Sequence, residues 1–293
     1  IFGMKGTLHF VVVLSYTIKP NIYGGMATAK CKVPFIPNIT GLGSAVQKSG
    51  ILLSLVTVMY RTAFRKVHCV FVQNKENQNY FSSHNIAVGK YRLIPGSGVN
   101  LNHYIVRPYK EDHGIHFAFI GRVMREKGIE EYLEAAYALK KEYSNIYFHV
   151  YGFCEEAYED RLKKLQEQGV IQYHGMVKDM AEVFETINCS VLPSYHEGMA
   201  NSLLEAAASG RPVIASNITG CRETFDEGVS GFGFQVKDSR ALIGALRKFL
   251  SLTTEERQQM GLAGRKKVET EFDRNIVINA YINEIEHISK GVK

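Results

Sequence analysis

The first 110 residues contain one acidic side chain, Glu76, against thirteen Lys and Arg. This near-absence of negative charge gives the segment a net of +12. The remainder holds 22 basic and 28 acidic residues, a net of −6, and the two make the chain's +6. So basic a segment attracts polyanions, whether nucleic acid, a phosphorylated substrate or an anionic bilayer. The aromatic-interleaved motifs of RNA-binding modules are lacking, so nucleic acid is not an expected partner. Cysteine is sparse: Cys31, Cys69, Cys154, Cys189 and Cys221 are scattered, with no C-x-x-C and no zinc spacing. That pattern argues against a disulfide framework and for reduced, largely buried thiols in a cytoplasmic protein. No run is apolar enough to span a bilayer. The best, Ile51 to Tyr60, is about half the length a transmembrane helix needs. No signal peptide, internal repeat or low-complexity segment is evident. The 293 residues suffice for two domains with sizeable cores.

What is present concentrates in the carboxyl-terminal part. From His196 to Ser216 a Gly-containing loop bearing Glu197 runs into an Ala/Leu-rich helix bearing Glu205, and a strand follows at Pro212–Ser216. The start of that helix offers backbone N–H groups, at Met199, Ala200 and Asn201 beside Gly198, that suit a phosphate. The carboxylates are acceptors suited to sugar hydroxyls. The plainer reading stays open: Ser202-x-x-Glu205 fits a helix capping box, and Glu197 can be an ordinary loop acid. A second signal lies upstream, where the strand Phe117–Ile120 enters a Gly121 turn and Arg122 and Lys127 bracket the next helix start. Two cations there complement a diphosphate.

Beyond Glu111 the pattern alternates strand and helix with short connections, the mark of a doubly wound parallel sheet. Strands are expected at His116–Arg122, Ile146–Tyr151, Ile171–His174, Cys189–Pro193, Pro212–Ser216 and near Gly233–Val236. Helices are expected at Ile129–Tyr143, Glu155–Gln168, Met180–Ile187, Asn201–Ser209, Arg240–Leu250, Thr254–Phe272 and Arg274–Ser289. The amino-terminal third reads as a shorter sheet with strands at His9–Leu14, Val33–Asn38, Cys69–Gln73 and Arg92–Pro95. Ser44 to His68 reads as an apolar helix with a basic end. It is either core-facing or laid on a bilayer surface, and both can hold for different faces. The boundary is expected near Val106–Gly114, giving domains 1–110 and 111–272 and a final helix, 273–293.

The Glu197/Glu205 pair, as Glu-x7-Glu, and the Gly121-Arg122…Lys127-Gly128 element resemble the donor-binding half of the retaining glycosyltransferases of family 4. The likeness runs from about Ile115 onward. Ser15–Gly24, Asn38–Gly43 and Pro95–Asn100 are similar to bacterial enzymes that extend polyprenyl-diphosphate-linked sugars for surface polysaccharides. The resemblance implies an α/β, GT-B fold of two Rossmann-like domains, with the last helix crossing back to the first. Against the family the amino-terminal domain is incomplete, since the chain begins Ile1-Phe2-Gly3 and lacks the first strand–helix pairs. That incompleteness leaves a catalytically inactive binding module as an alternative, beside a soluble transferase with a small acceptor.

By the same resemblance, Glu197 contacts the donor sugar and Glu205 the ribose. Arg122 and Lys127 clamp the diphosphate, and the base, taken as uracil, lies near His174-Gly175-Met176-Val177. His174 can equally be a polar residue at a strand end. Configuration is retained without a metal or other cofactor, in keeping with the lack of an Asp-x-Asp element. The nucleotide-sugar is a substrate, and the acceptor is a polyprenyl-linked or other saccharide. The expected location is cytoplasmic, peripheral to the inner face of the bacterial cell membrane. Asn38-Ile39-Thr40-Gly41 occupies the stretch where many members carry a His. Asn38 or Thr40 is read as orienting a hydroxyl or the acceptor phosphate, with a turn-forming role as the alternative. Lys19 is a candidate for the acceptor diphosphate, and Gly96-Ser97-Gly98 for a cleft-facing turn.

Overall fold

The computed structural model describes residues 12–41, 51–108 and 114–291. Residues 9–11 of the first expected strand, Leu42 and Gly43 of the second motif, 44–50 of the apolar segment and 109–113 of the expected boundary lie outside the described residues. The chain forms two compact units, Ile1–Ser97 with Asn275–Lys293, and Gly98–Arg274.

The first unit holds β1 (Val13–Tyr16), α1 (Ile18–Cys31), β2 (Phe35–Ile39), α2 (Ile51–Ala63), β3 (Val70–Val72), α3 (Lys75–Ser83) and β4 (Tyr91–Leu93). The four strands form one parallel sheet in the order β1-β2-β3-β4. Every residue of β2 and β3 is buried, as a parallel sheet covered on both faces requires. One face packs Phe35, Tyr60, Phe64, Val72 and Phe81. Helix α1 was not foreseen, because Pro20, Gly24 and Gly25 break its pattern. Pro20 falls in the first turn, where no intrahelical N–H is lost. Gly25 is needed for packing: a Cβ there would lie 2.6 Å from the Ala63 carbonyl oxygen.

The second unit holds β5 (Ile115–Ile120), α4 (Ile129–Leu139), β6 (Ile146–Tyr151), α5 (Glu156–Glu167), β7 (Gln172–Gly175), α6 (Met180–Phe184), β8 (Cys189–Leu192), α7 (Asn201–Ala208), β9 (Val213–Ser216), β10 (Gly231–Phe234), α8 (Ser239–Leu250) and α9 (Thr254–Glu271). Its six parallel strands lie in the order β10-β9-β8-β5-β6-β7. Counted along the unit, that is the doubly wound 3-2-1-4-5-6 arrangement read from the β7 edge. Strand order reverses between β5 and β8, so the crevice at their carboxyl ends is where such sheets bind ligands.

The division falls at Ser97/Gly98, not near Val106–Gly114. Val106–Gly114 reads as a polar boundary, but hydrogen bonds already tie the chain from Val99 to Pro108 to the second unit. Val99 N–H donates to Phe272 O (2.8 Å) and Arg274 N–H to Val99 O (3.0 Å). Arg265 donates to Tyr104 O (2.6 Å). The fully buried Arg211 donates to Arg107 O (2.8 Å), Pro108 O (3.1 Å) and Phe184 O (2.6 Å). Gly96-Ser97-Gly98 is thus the junction itself. The last helix, α10 (Arg274–Gly291), belongs to the first unit from Asn275 on. Its Val277 and Ile288 pack with Ile36, Cys69, Phe71 and Ile94, and Tyr281 lies 4.3 Å, ring centre to ring centre, from Phe71.

Candidate functional site

Strand β5 delivers Gly121 and the exposed Arg122 to the switch point at its carboxyl end. A single 3-10 turn, Arg125–Lys127, follows before α4. Gly128 joins turn to helix at φ 73°, and a Cβ there would lie 2.0 Å from the Pro193 carbonyl oxygen. No other residue permits that approach of the β5 and β8 loops. The contact is fastened on both sides: Tyr195 N–H donates to Glu126 O (2.8 Å), and the buried Ser194 hydroxyl to the same oxygen (3.2 Å). The Tyr195 hydroxyl donates to Glu131 Oε1 (2.7 Å). Burial and that carboxylate push the phenol's pKa well up.

These contacts set Lys127 against Glu197, with Nζ 2.5 Å from Oε1. The side chains retain 24% and 11% of their exposure. A half-buried ion pair at a sheet's switch point is chemically distinctive. An ammonium has three donors, so Lys127 can hold Glu197 and an incoming anion together. Arg122 forms no ion pair with a described residue.

Glu205 lies one turn into α7, away from that pair. The capping-box alternative fails: the cap of α7 is Ala200, without a side-chain bond, which puts Ser202 inside the first turn. Glu205 instead accepts from the Tyr104 hydroxyl. Burial raises its pKa, against the pull of Tyr104, Arg274 and His103, and burial with this carboxylate pushes the Tyr104 phenol up to about 12. Two of the expected phosphate donors are engaged. Ala200 N–H donates to Gly220 O (2.8 Å) and Asn201 N–H to Met199 O (3.0 Å), because the loop folds back before the helix starts. Met199 and Ala200 are buried, Gly198 half-buried and Asn201 exposed.

His174, on β7, stacks on Tyr151 (4.4 Å, 9°) and shares a hydrogen bond from Nε2 with His149 Nδ1 (3.0 Å). That nitrogen is therefore spent inside the sheet, while Met176 beside it is 76% exposed. In the first unit, Tyr16 and Asn38 pair across β1 and β2. The exposed Lys19 and half-buried Thr40 thus follow the carboxyl ends of adjacent strands. Asn38 is no turn residue: it is buried in β2 and donates through Nδ2 to the Tyr281 hydroxyl (2.6 Å). Its carbonyl accepts from Asn21 (2.8 Å). Thr17, just before α1, holds φ 66° and ψ 165°, a conformation that costs about 1–3 kcal/mol.

Two participants were missed. Tyr104 sits in a segment without periodic pattern and offers no signal. Glu223 accepts from Gly220 N–H (2.7 Å) and steadies the turn beneath Glu197. A Gly followed three positions later by Glu was the available cue.

Two parallel α/β units, the second doubly wound with an ion pair at its switch point, have the Rossmann-like architecture of the GT-B fold. The chain belongs to the family described as glycosyl transferases group 1, whose model matches residues 107–267. It is 25% identical to N,N'-diacetylbacillosaminyl-diphospho-undecaprenol alpha-1,3-N-acetylgalactosaminyltransferase of Campylobacter jejuni, across 97% of this chain and 79% of that protein. It is 29% identical to the capsular polysaccharide biosynthesis glycosyltransferase CapM of Staphylococcus aureus, across 54% of this chain and 42% of CapM. In fold it resembles sucrose-phosphate synthase from Thermosynechococcus elongatus, with TM-score 0.81, 20% identity, 97% of this chain and 75% of that one. It also resembles Anabaena Alr3699/HepE in complex with UDP and glucose, with TM-score 0.76, 18% identity, 95% and 77%. The chain is a glycosyltransferase.

Proposed function

We propose that this glycosyltransferase moves a hexose or N-acetylhexosamine from a uridine-diphosphate sugar onto a polyprenyl-diphosphate-linked saccharide, retaining anomeric configuration and using no metal at the donor site. The Lys127–Glu197 pair at the β5/β8 switch point carries this reading. Cleavage of the anomeric C–O bond puts positive charge on the sugar ring and negative charge on the leaving diphosphate. Lys127 and Arg122 stabilise the second charge. Glu197, held by Lys127, accepts from the sugar's hydroxyls, and Glu205 from the ribose. Gly121, Gly198 and Met199 let the backbone approach the phosphates. The base rests beside Met176, with His174 as part of the wall.

The Campylobacter relative's diphospho-undecaprenol-linked substrate supports the acceptor class. The UDP complex of the HepE neighbour supports the donor. Lys19 and Thr40, at one end of the first unit's sheet, are suited to an acceptor phosphate and hydroxyl, while Asn38 orders the strand end behind them. Among the described residues no helix is long and apolar enough to cross a membrane. Contact with the lipid-linked acceptor is assigned to the basic amino-terminal surface, which holds the enzyme peripherally at the cytoplasmic membrane face.

Titration with uridine diphosphate tests the donor site. Arg122→Ala removes a charge-assisted contact and is expected to cost about 2 kcal/mol, or roughly thirtyfold in affinity. Glu205→Ala loses the ribose contact. Unchanged affinity in both variants sinks the assignment.

A further inference from the structure

Three donors of different chemistry converge in the first unit, far apart in sequence. His68 and Cys69 lead into β3, and Glu284 sits on α10. One ligand atom from each lies within 4.8 Å of the others. His68 Nε2 and Glu284 Oε2 are 3.1 Å apart. Cys69 is 1% exposed, and the Glu284 side chain 13%. Four-coordinate zinc places S, N and O donors at about 2.0–2.3 Å, hence roughly 3.3–3.8 Å from one another. Small side-chain rotations reach that spacing.

The surroundings are also those of a ligand set. Arg92 Nε binds Glu284 Oε1, which leaves Oε2 turned to His68. Ligating carboxylates are commonly oriented by such an outer partner. Lys90, the other cation near the thiol, is occupied by the Val67 carbonyl (2.6 Å). The exposed His287, one turn beyond Glu284, has its ring 6.1 Å from that of His68.

We infer that His68, Cys69 and Glu284 bind one zinc-class divalent cation, with solvent in the fourth position, and that this cation fastens α10 to the start of β3. A sulfur, a nitrogen and an oxygen donor favour zinc over magnesium or calcium. The bound species are thiolate, neutral imidazole and carboxylate, so the thiol proton leaves to solvent as the metal enters. The site shares no residue with the proposed donor site and needs no role in catalysis.

The full chain, stripped with EDTA, is titrated with Co2+ and, separately, with Zn2+. One equivalent of Co2+ is expected, with a thiolate-to-cobalt charge-transfer band that Zn2+ abolishes by displacement. Zn2+ alone raises the unfolding temperature. Cys69→Ser and the less buried His68→Gln both lose the band and the stoichiometric binding, whereas Cys31→Ser, altering an exposed cysteine, keeps them. Wild-type chain with no band, or a band that persists in Cys69→Ser, overturns the site. UDP affinity is read in the same samples and stays unchanged, which keeps this outcome independent of the donor assignment.

Discussion

Burial raises the pKa of Glu205 even though Tyr104 donates to it and Arg274 and His103 lie near. A carboxyl whose pKa rises on folding is harder to ionise in the folded chain than in the unfolded one. It therefore subtracts from stability at neutral pH, and the deficit shrinks as pH falls through the folded value and is gone below the unfolded one. Such a charge is retained where it serves binding. Glu205→Gln is accordingly expected to raise the unfolding temperature at pH 7 while weakening UDP binding by tenfold to a hundredfold, about the 1.5–3 kcal/mol of a hydrogen bond to a charged group. A variant that is both less stable and equally competent for UDP would show Glu205 to be a structural residue. The acids themselves were legible from their spacing and from the Gly-bearing loop. Their partners were not equally so: Lys127 was expected at the same crevice, but Tyr104 reaches Glu205 only through the fold of the segment after Gly98.

Strands β5, β6 and β7 bring three imidazoles into line across the sheet. His116 Nδ1 is 2.8 Å from His149 Nε2, and His149 Nδ1 is 3.0 Å from His174 Nε2. Tyr147 stacks on one end and Tyr151 on the other. A neutral His149 donates at one nitrogen and accepts at the other, which completes the chain in one direction. Burial, then the two neighbouring rings, lowers its pKa to about 3. The unfolded chain takes up a proton below pH 6.5, where the folded one does not, so stability held above that pH is lost on acidification toward pH 3. Between pH 7 and 5 the loss from this group is about 2 kcal/mol. His149→Gln removes the titration, and its urea midpoint should fall less steeply over that interval than that of the wild type. Equal slopes would exclude His149 as the source. Periodicity foretold all the strands of the second unit to within about two residues, because the central ones are largely apolar and buried. It could not foretell the ladder, since pairing register, not spacing along the chain, aligns the histidines. Helix α1 escaped for a related reason: its glycine answers to the Ala63 carbonyl across the packing interface, a demand invisible along the chain.

Over the whole molecule, charge is divided between the basic first 110 residues and an acidic remainder. Helix α2 adds shape to that charge. It buries Val56, Tyr60 and Ala63 in the core but leaves Leu55 and Val58 more than half exposed, with exposed Arg61, Arg65 and Lys66 at and beyond its end. The core-facing reading holds for the buried face, and on the other an apolar stripe ending in cations is the pattern from which a surface-lying helix is proposed. Near an anionic bilayer each basic residue contributes about 1 kcal/mol, so Arg65→Ser with Lys66→Ser should weaken binding to phosphatidylserine-containing vesicles by about 2 kcal/mol, roughly thirtyfold. Cosedimentation measures this directly. Wild-type binding should fall as salt rises, since the Debye length shrinks from about 10 Å at 0.1 M to about 3 Å at 1 M. The double variant should lose part of that salt dependence. Leu55→Ser with Val58→Ser should instead weaken binding at every ionic strength. Vesicle binding that ignores both salt and these substitutions would remove α2 from the membrane contact and leave the acceptor's lipid to be met elsewhere.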